Sequence, residues 1–282
     1  MNADTGAKKT LLIYDKAWAR LKDRIAEKGW PIEPLLLHDD ERLIDANGND
    51  VAVEDAEFEI AWASKDTYVG GPARRFFKLL FVCDTLKWFQ SSAAGFDHPI
   101  FADVAKKGVI MTRSDAQSVP IAEFVFGRLF DVFHPNRERD DAQHRHAWDR
   151  FDFRDISGTT WLVIGMGAIG RAITTRAKAF EAHVIGMRRT PTGDEPADEM
   201  ITPDQLQDAI PRADVIVLSA PATPETENMV DAEFLSRVKQ GAVLINIARG
   251  TLVDEEALRD ALDAERLDAA ILDVFVEEPL PQ

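Results

Sequence analysis

Short apolar runs alternate with amphipathic stretches along most of this chain. In the first third, "TLLIYD", "PIEPLLLHD", "FEIAWAS", "LKWFQSS" and "VIMTRS" read as strands, with helices expected at "AWARLKDRIAEKG" and "PARRFFKLLFVC". That alternation predicts a parallel sheet covered on both faces. Next, Ala122, Val125, Phe126, Leu129, Phe130 and Phe133 recur at helical spacing in "SVPIAEFVFGRLFDVF". Ser118 is its expected N-cap, and Pro120 fits the first turn. The Phe-rich stripe suits ordinary core or, in part, a subunit interface. "HPNRERDDAQHRHAWDRFDF" then reads as an exposed helix or arm.

From "GTTWLVIGMGAIG" the alternation restarts, with strands at "AHVIGM", "ADVIVLSAP", "GAVLINIAR" and "AAILDVF". Helices are expected at "PDQLQDAI", "DAEFLSRVK" and "DEEALRDALDAE", capped by Thr202, Asp231 and Asp254. The expected organisation is two α/β domains, residues 1–117 and 118–282.

A net charge of −16 argues against a nucleic-acid partner, since phosphate contacts need a basic face. A local basic pocket for a small anion stays compatible with it. No apolar run is long enough to span a bilayer, and the opening residues lack the apolar region of an export signal. With Cys83 as the single cysteine, no intrachain disulfide can form, so a cytoplasmic protein without a membrane partner is expected. Cys83 itself reads as core. His144 and His146 are two apart and would not share a helix face, so no metal site is expected.

The most informative stretch is "WLVIGMGAIGRAITTRAKAF", where Gly165, Gly167 and Gly170 form G-x-G-x-x-G between a buried strand and a helix. Gly165 allows a tight turn, Gly167 lets backbone approach a pyrophosphate, and Gly170 lets helix and strand pack closely. Ala168 and Ile169 complete the turn, whose helix N-terminus offers free N–H groups to phosphate. At the end of the following strand, an NAD-binding fold usually carries an acid for the ribose 2′-hydroxyl. Here "RRT" (Arg188, Arg189, Thr190) stands there instead. Arginine attracts a 2′-phosphate, which points to NADP(H) as the preferred coenzyme, with NAD(H) second.

Arg249 lies just past the buried strand "VLINIA", where α/β sheets place ligands. Its guanidinium suits a 2-oxo acid: it can bind the carboxylate and polarise the neighbouring carbonyl as charge grows on oxygen. A plain salt-bridge role is the alternative for an arginine at a strand end.

With these motifs, "SSAAGFDH", "SVPIAEFVFGRLF", "GMGAIGRAI", "ADVIVLSAPATPETENMV", "LINIARGTLVDEEAL" and "LDVFVEEPLP", the chain resembles the D-isomer-specific 2-hydroxyacid dehydrogenase family, among its members the NADP-linked glyoxylate/hydroxypyruvate reductases. The resemblance implies an α/β fold of two Rossmann-like or flavodoxin-like domains with parallel sheets and a cleft between them. The first would be the substrate domain and the second the dinucleotide-binding domain, assembled as a homodimer. It assigns Arg249 to the substrate and Glu278 to pairing with a catalytic histidine. Asp273 would lie near the nicotinamide amide. Ala220, Pro221, Thr226, Ile247 and Ala248 would line the coenzyme, and Ala94 with Gly95 would face the substrate. His98 does not match the family's acid and reads as structural.

The departure is the histidine. The family keeps it in a Pro-His motif some way beyond the glutamate, and this sequence ends four residues after Glu278. The expectation is a chain cut before its proton donor and before the segment that completes the first domain. The expected activity is reduction of a small 2-oxo acid to a D-2-hydroxy acid with NAD(P)H, and the reverse. The alternative is a non-catalytic, dinucleotide-sensing, corepressor-like protein; Arg249 and Glu278 together disfavour it.

Overall fold

Leu11, Leu12, Ile13 and Tyr14 leave no wet side to strand β1 (Lys9–Tyr14). A strand buried on both faces belongs inside a parallel sheet with helices above and below. The computed structural model describes residues 8–93, 95–96 and 98–280 and divides the chain into two units, Met1–Ser114 and Asp115–Gln282.

In the first unit β1 is followed by α1 (Asp15–Glu27), β2 (Ile32–Leu37), β3 (Leu43–Ile44), β4 (Asp50–Val51) and β5 (Ile60–Ala63). Then come α2 (Lys65–Tyr68), α3 (Ala73–Val82), β6 (Trp88–Ser91), α4 (Pro99–Lys106) and β7 (Ile110–Thr112). The sheet order is β4-β3-β2-β1-β5-β6-β7. All five strands expected from the hydrophobic runs are present and mutually parallel. The sheet is not purely parallel, however, because β3 and β4 extend its edge antiparallel. Two-residue strands carry too little alternation to be read from a sequence. Cys83 is buried, and its thiol donates to the carbonyl of Phe58 at 3.3 Å.

The second unit contains α5 (Ser118–Phe133), α6 (Asn136–His144), β8 (Thr160–Ile164), α7 (Ala168–Ala179), β9 (His183–Met187) and β10 (Glu199–Ile201). After these come α8 (Leu206–Ala209), β11 (Val215–Leu218), α9 (Ala232–Arg237), β12 (Ala242–Asn246), α10 (Glu255–Asp263) and β13 (Leu267–Leu272). All six strands are parallel, in the order β10-β9-β8-β11-β12-β13. Renumbered from β8, this is the 3-2-1-4-5-6 order of a dinucleotide-binding sheet.

The stripe on α5 is core: Ala122, Val125, Phe126, Leu129 and Phe133 are buried, and Phe126 stacks on Trp161 at 5.3 Å. Ser118 is not its cap. The helix starts at Ser118 itself, whose hydroxyl donates back to the carbonyl of Asp115 at 2.7 Å. Asp231 and Asp254 do cap, accepting from the backbone N–H groups of Phe234 and of Glu256 and Ala257. The polar arm folds into the short, largely exposed α6. Among the described residues no helix is long and apolar enough to cross a membrane.

Candidate active site

In an open α/β sheet the crevice forms beyond the carboxyl ends of the strands, where the strand order reverses. Here that point lies between β8 and its neighbour β11. Gly165 ends β8 with φ +103°, and a Cβ there would stand 2.5 Å from the Ser219 carbonyl oxygen and 2.6 Å from the Ala220 nitrogen, just past β11. The two loops therefore meet backbone to backbone, which only glycine permits. Gly170 is equally constrained, since its Cβ would fall 2.0 Å from the carbonyl oxygen of Gly165.

Gly167 differs from both: its φ is −75° and a Cβ would meet nothing within 4 Å. The protein does not need a glycine there. Open space stands there, over the first N–H groups of α7, which have no intrahelical acceptor and could receive an anion. Ala168 and Ile169 form this first turn half-buried.

At the end of β9, Arg188 lies part-exposed. Its Nη1 donates to Glu195 Oε1 at 3.1 Å and to Thr192 Oγ1 at 3.2 Å. Arg189 and Thr190 are exposed. The positive charge of Arg189 reaches Glu225, in the loop after β11, and helps hold its carboxyl below the usual range after the larger effect of a Thr223 hydrogen bond. The loops after β9 and β11 thus flank the Gly-rich turn. In the second loop Ala220 is half-buried and Pro221 exposed. The Thr226 hydroxyl is spent on its own loop, donating to the Pro221 carbonyl at 2.8 Å and accepting from Thr223 N–H at 2.8 Å. Thr226 shapes this wall rather than offering a free hydroxyl.

Arg249 sits on a turn with a built frame. The buried Asn246, last residue of β12, accepts from Ala248 N–H at 3.0 Å and donates through Nδ2 to the Arg249 carbonyl at 2.8 Å. One side chain thereby fixes both backbone groups of the turn. Ile247 and Ala248 are buried, and the Arg249 guanidinium reaches the surface, donating to the Ala248 carbonyl at 2.6 Å.

The next residue, Gly250, lies under the segment leaving β13. A Cβ there would stand 2.0 Å from the Phe275 carbonyl carbon and 2.3 Å from the Val276 nitrogen. Glu255 accepts from Val276 N–H at 2.8 Å, and Glu278 accepts from Phe275 N–H at 2.9 Å. Asp273 begins this segment, its N–H bonded to the Asn246 carbonyl at 3.0 Å. Its carboxyl, though solvent-reachable, is pushed above the usual range, first by the protein around it and then by the charge of Glu278. The fold thus brings Arg249, Asp273 and Glu278 onto two touching segments at one edge of the sheet.

Residue reading missed the parts of this frame. Asn246 was visible as a polar end to an otherwise apolar strand, and Gly250 as a glycine directly after the arginine. Glu255 carried no pattern at all.

In the first unit, Gly95 and Phe96 follow β6, and Ala94 lies outside the described residues. Ser91 supports the turn: its Oγ accepts from Ala93 N–H at 3.0 Å and shares a 2.7 Å hydrogen bond with the Tyr68 hydroxyl. Burial pushes the Tyr68 hydroxyl pKa up. His98 caps α4, accepting through Nδ1 from Ile100 N–H at 3.2 Å, which accounts for it structurally.

Comparison with known proteins agrees with this geometry. Residues 126–282 match the model of the D-isomer specific 2-hydroxyacid dehydrogenase NAD binding domain. A D-3-phosphoglycerate dehydrogenase from Methanocaldococcus jannaschii is 34% identical over 202 residues, covering 70% of this chain and 38% of that protein. A glyoxylate reductase from Thermococcus gammatolerans is 33% identical over 206 residues, 69% of this chain and 61% of that protein. The chain thus spans about two fifths of the phosphoglycerate dehydrogenases it matches. Among solved structures, a D-isomer specific 2-hydroxyacid dehydrogenase family protein from Aeromonas salmonicida superposes with a TM-score of 0.76 at 28% identity, covering 98% of this chain and 84% of that one. A family member from Xanthobacter autotrophicus, solved with NADPH and MES, gives 0.70 at 27% identity, covering 98% and 83%. The chain belongs to the D-isomer-specific 2-hydroxyacid dehydrogenase family, and its second unit is an NAD(P)-binding domain.

Proposed function

We propose that this protein reduces a small 2-oxo acid to the D-2-hydroxy acid and prefers NADPH as coenzyme. The observation that carries the reading is the mounting of Arg249: it sits on a turn fixed by Asn246, and the next residue, Gly250, packs against the segment that bears Asp273 and Glu278.

The coenzyme fits the residues present. Gly167 leaves open space over the α7 N-terminus, so Gly167, Ala168 and Ile169 would hold the pyrophosphate. Arg188, Arg189 and Thr190 would take the 2′-phosphate, where an acid would repel it. The loop from Ala220 to Thr226 would form the facing wall. When bound, the coenzyme supplies hydride to the keto carbon.

The protein's own part is binding and electrostatics. Arg249 would hold the substrate carboxylate with its planar fork and stabilise negative charge growing on the carbonyl oxygen. Glu278 would keep a carboxylate at the edge where a general acid must be oriented, and Asp273 would lie against the nicotinamide side. By the family resemblance, Ala94 and Gly95 would contact the substrate. Relatives named glyoxylate reductase and glycerate dehydrogenase support a substrate among two- and three-carbon acids.

The test is NADPH consumption over a panel of small 2-oxo acids, with NADPH binding measured on the same sample. Turnover of at least one acid, faster with NADPH than with NADH, is expected. Tight NADPH binding with no turnover on any acid, by a protein carrying the family's Pro-His segment after Glu278, would overturn the reading in favour of a dinucleotide sensor.

A further inference from the structure

The loop Pro191–Glu195 after β9 is closed on itself by hydrogen bonds to Glu195. Glu195 sits in it with a fully covered side chain, although residues 191–194 before it are exposed. It accepts from Thr192 N–H at 2.8 Å, Thr192 Oγ1 at 2.7 Å, Gly193 N–H at 2.8 Å and Arg188 Nη1 at 3.1 Å. Gly193 has φ +83°, the left-handed conformation in which consecutive N–H groups can converge on one acceptor. The loop is also tied to α7, where Arg171 donates to the Asp194 carbonyl oxygen at 2.7 Å and to its carboxylate at 3.0 Å.

We infer that Glu195 is a specificity-positioning residue: its carboxylate fixes the guanidinium of Arg188 in the orientation that receives the coenzyme's 2′-phosphate. The inference rests on the NADPH reading above and adds to it a residue without a role so far.

The geometry favours positioning over competition. Only Nη1 of Arg188 is engaged by the loop; among the described residues its Nε and Nη2 make no hydrogen bond to protein. A guanidinium held at one corner keeps its other N–H groups for a ligand, and the rotamer freedom that binding would remove is already restricted. The Glu195 charge is satisfied by two backbone N–H groups of its own loop and by the Thr192 hydroxyl, which it shares with Asp194, so it is poorly placed to repel an incoming phosphate. These donors also hold its pKa down at about 2, with the Thr192 backbone N–H the largest cause, so it stays a carboxylate at neutral pH. Arg189 adds a second cation that forms no ion pair among the described residues.

The experiment compares NADPH and NADH affinity by calorimetry for the unmodified protein, Glu195→Gln, Thr192→Val and Arg188→Ala. Glu195→Gln removes the charge and keeps the shape. Thr192→Val keeps the carboxylate but deletes a hydroxyl that donates to it and accepts from Arg188. For Glu195→Gln, NADPH affinity is expected to fall about fivefold to tenfold, with NADH unchanged within about twofold. Thr192→Val should give a smaller shift in the same direction. If both coenzymes weaken equally, Glu195 is only a structural brace and the inference fails. Unchanged or tighter NADPH binding also overturns it, the latter marking Glu195 as a competitor. Arg188→Ala separates the two readings: if it leaves NADPH affinity unchanged, the NADPH assignment itself has failed.

Discussion

Substituting Gly167 by alanine separates what the fold needs from what the ligand needs. The residue has φ −75° and ψ −167°, a conformation open to any L-residue, and its new methyl group would meet no protein atom within 4 Å. Folding stability should therefore change by less than about 0.5 kcal/mol. The methyl carbon would stand about 1.5 Å beyond Cα. That is enough to push a phosphate oxygen out of the roughly 2.9 Å reach of the helix N–H groups. Each hydrogen bond to a charged group contributes about 1.5–3 kcal/mol, so losing one weakens NADPH by roughly 10- to 150-fold. Thermal melting and calorimetric titration read the two quantities on one sample. Gly165→Ala is the control: with φ +103° and backbone 2.5 Å away it should lower the melting temperature as well. A Gly167→Ala protein that binds NADPH within about twofold of the original would refute the phosphate cradle.

Arg249→Lys keeps charge but loses the planar fork; kcat/KM on 2-oxo acids should fall about 10- to 100-fold with NADPH affinity unchanged, and steady-state kinetics beside a titration would show it. Gly250→Ala drives a methyl group into the Phe275–Val276 backbone and should cost about 2 kcal/mol, roughly 4–8 °C in melting temperature. Asp273 has a raised pKa, so the folded state holds its proton more tightly than the unfolded chain does, and ionising it opposes folding. Asp273→Asn should thus raise the melting temperature at neutral pH. That gain should shrink as pH falls below the ordinary carboxylate range, where both states are protonated; a pH series of melts decides it.

The strands of both sheets were legible because each is four to six residues long with an apolar run bounded by turns, except β7, which is three, and the short β3, β4 and β10. The start of α5 was misplaced because Ser118 has the chemistry of a cap, yet its hydroxyl bonds backwards to Asp115 and the helix already includes it. Gly165, Gly167 and Gly170 were legible as a group from spacing alone. What spacing could not show was that two of them are demanded by neighbouring backbone and one by open space. Arg188 was legible as a cation in the place of an acid. Its hold on Glu195 was not, because it depends on how Pro191–Glu195 closes on itself. Asn246 shows the same limit: its two bonds run to residues 248 and 249, and nothing in "LINIARG" distinguishes an asparagine that braces a turn from one that merely ends a strand.

The candidate residues of the second unit are set by one continuous line of backbone contacts along the carboxyl edge of the sheet. Gly165, after β8, touches Ser219 and Ala220, after β11. Ile247 N–H, after β12, donates to the Leu218 carbonyl at the end of β11 at 3.3 Å, and Asp273 N–H, after β13, donates to the Asn246 carbonyl. Gly250 closes the series beneath Phe275 and Val276. Four adjacent strands thus end in four loops that register on one another through main-chain atoms, with glycine at both places where the approach is closest. Side chains at such contacts would have to be accommodated by moving a loop, and moving any one of them displaces the next. The turn over α7 and the turn that carries Arg249 therefore share a single rigid frame. Such a frame suits the proposed reaction, in which coenzyme and the Arg249 clamp would have to be held in fixed relation before the substrate arrives.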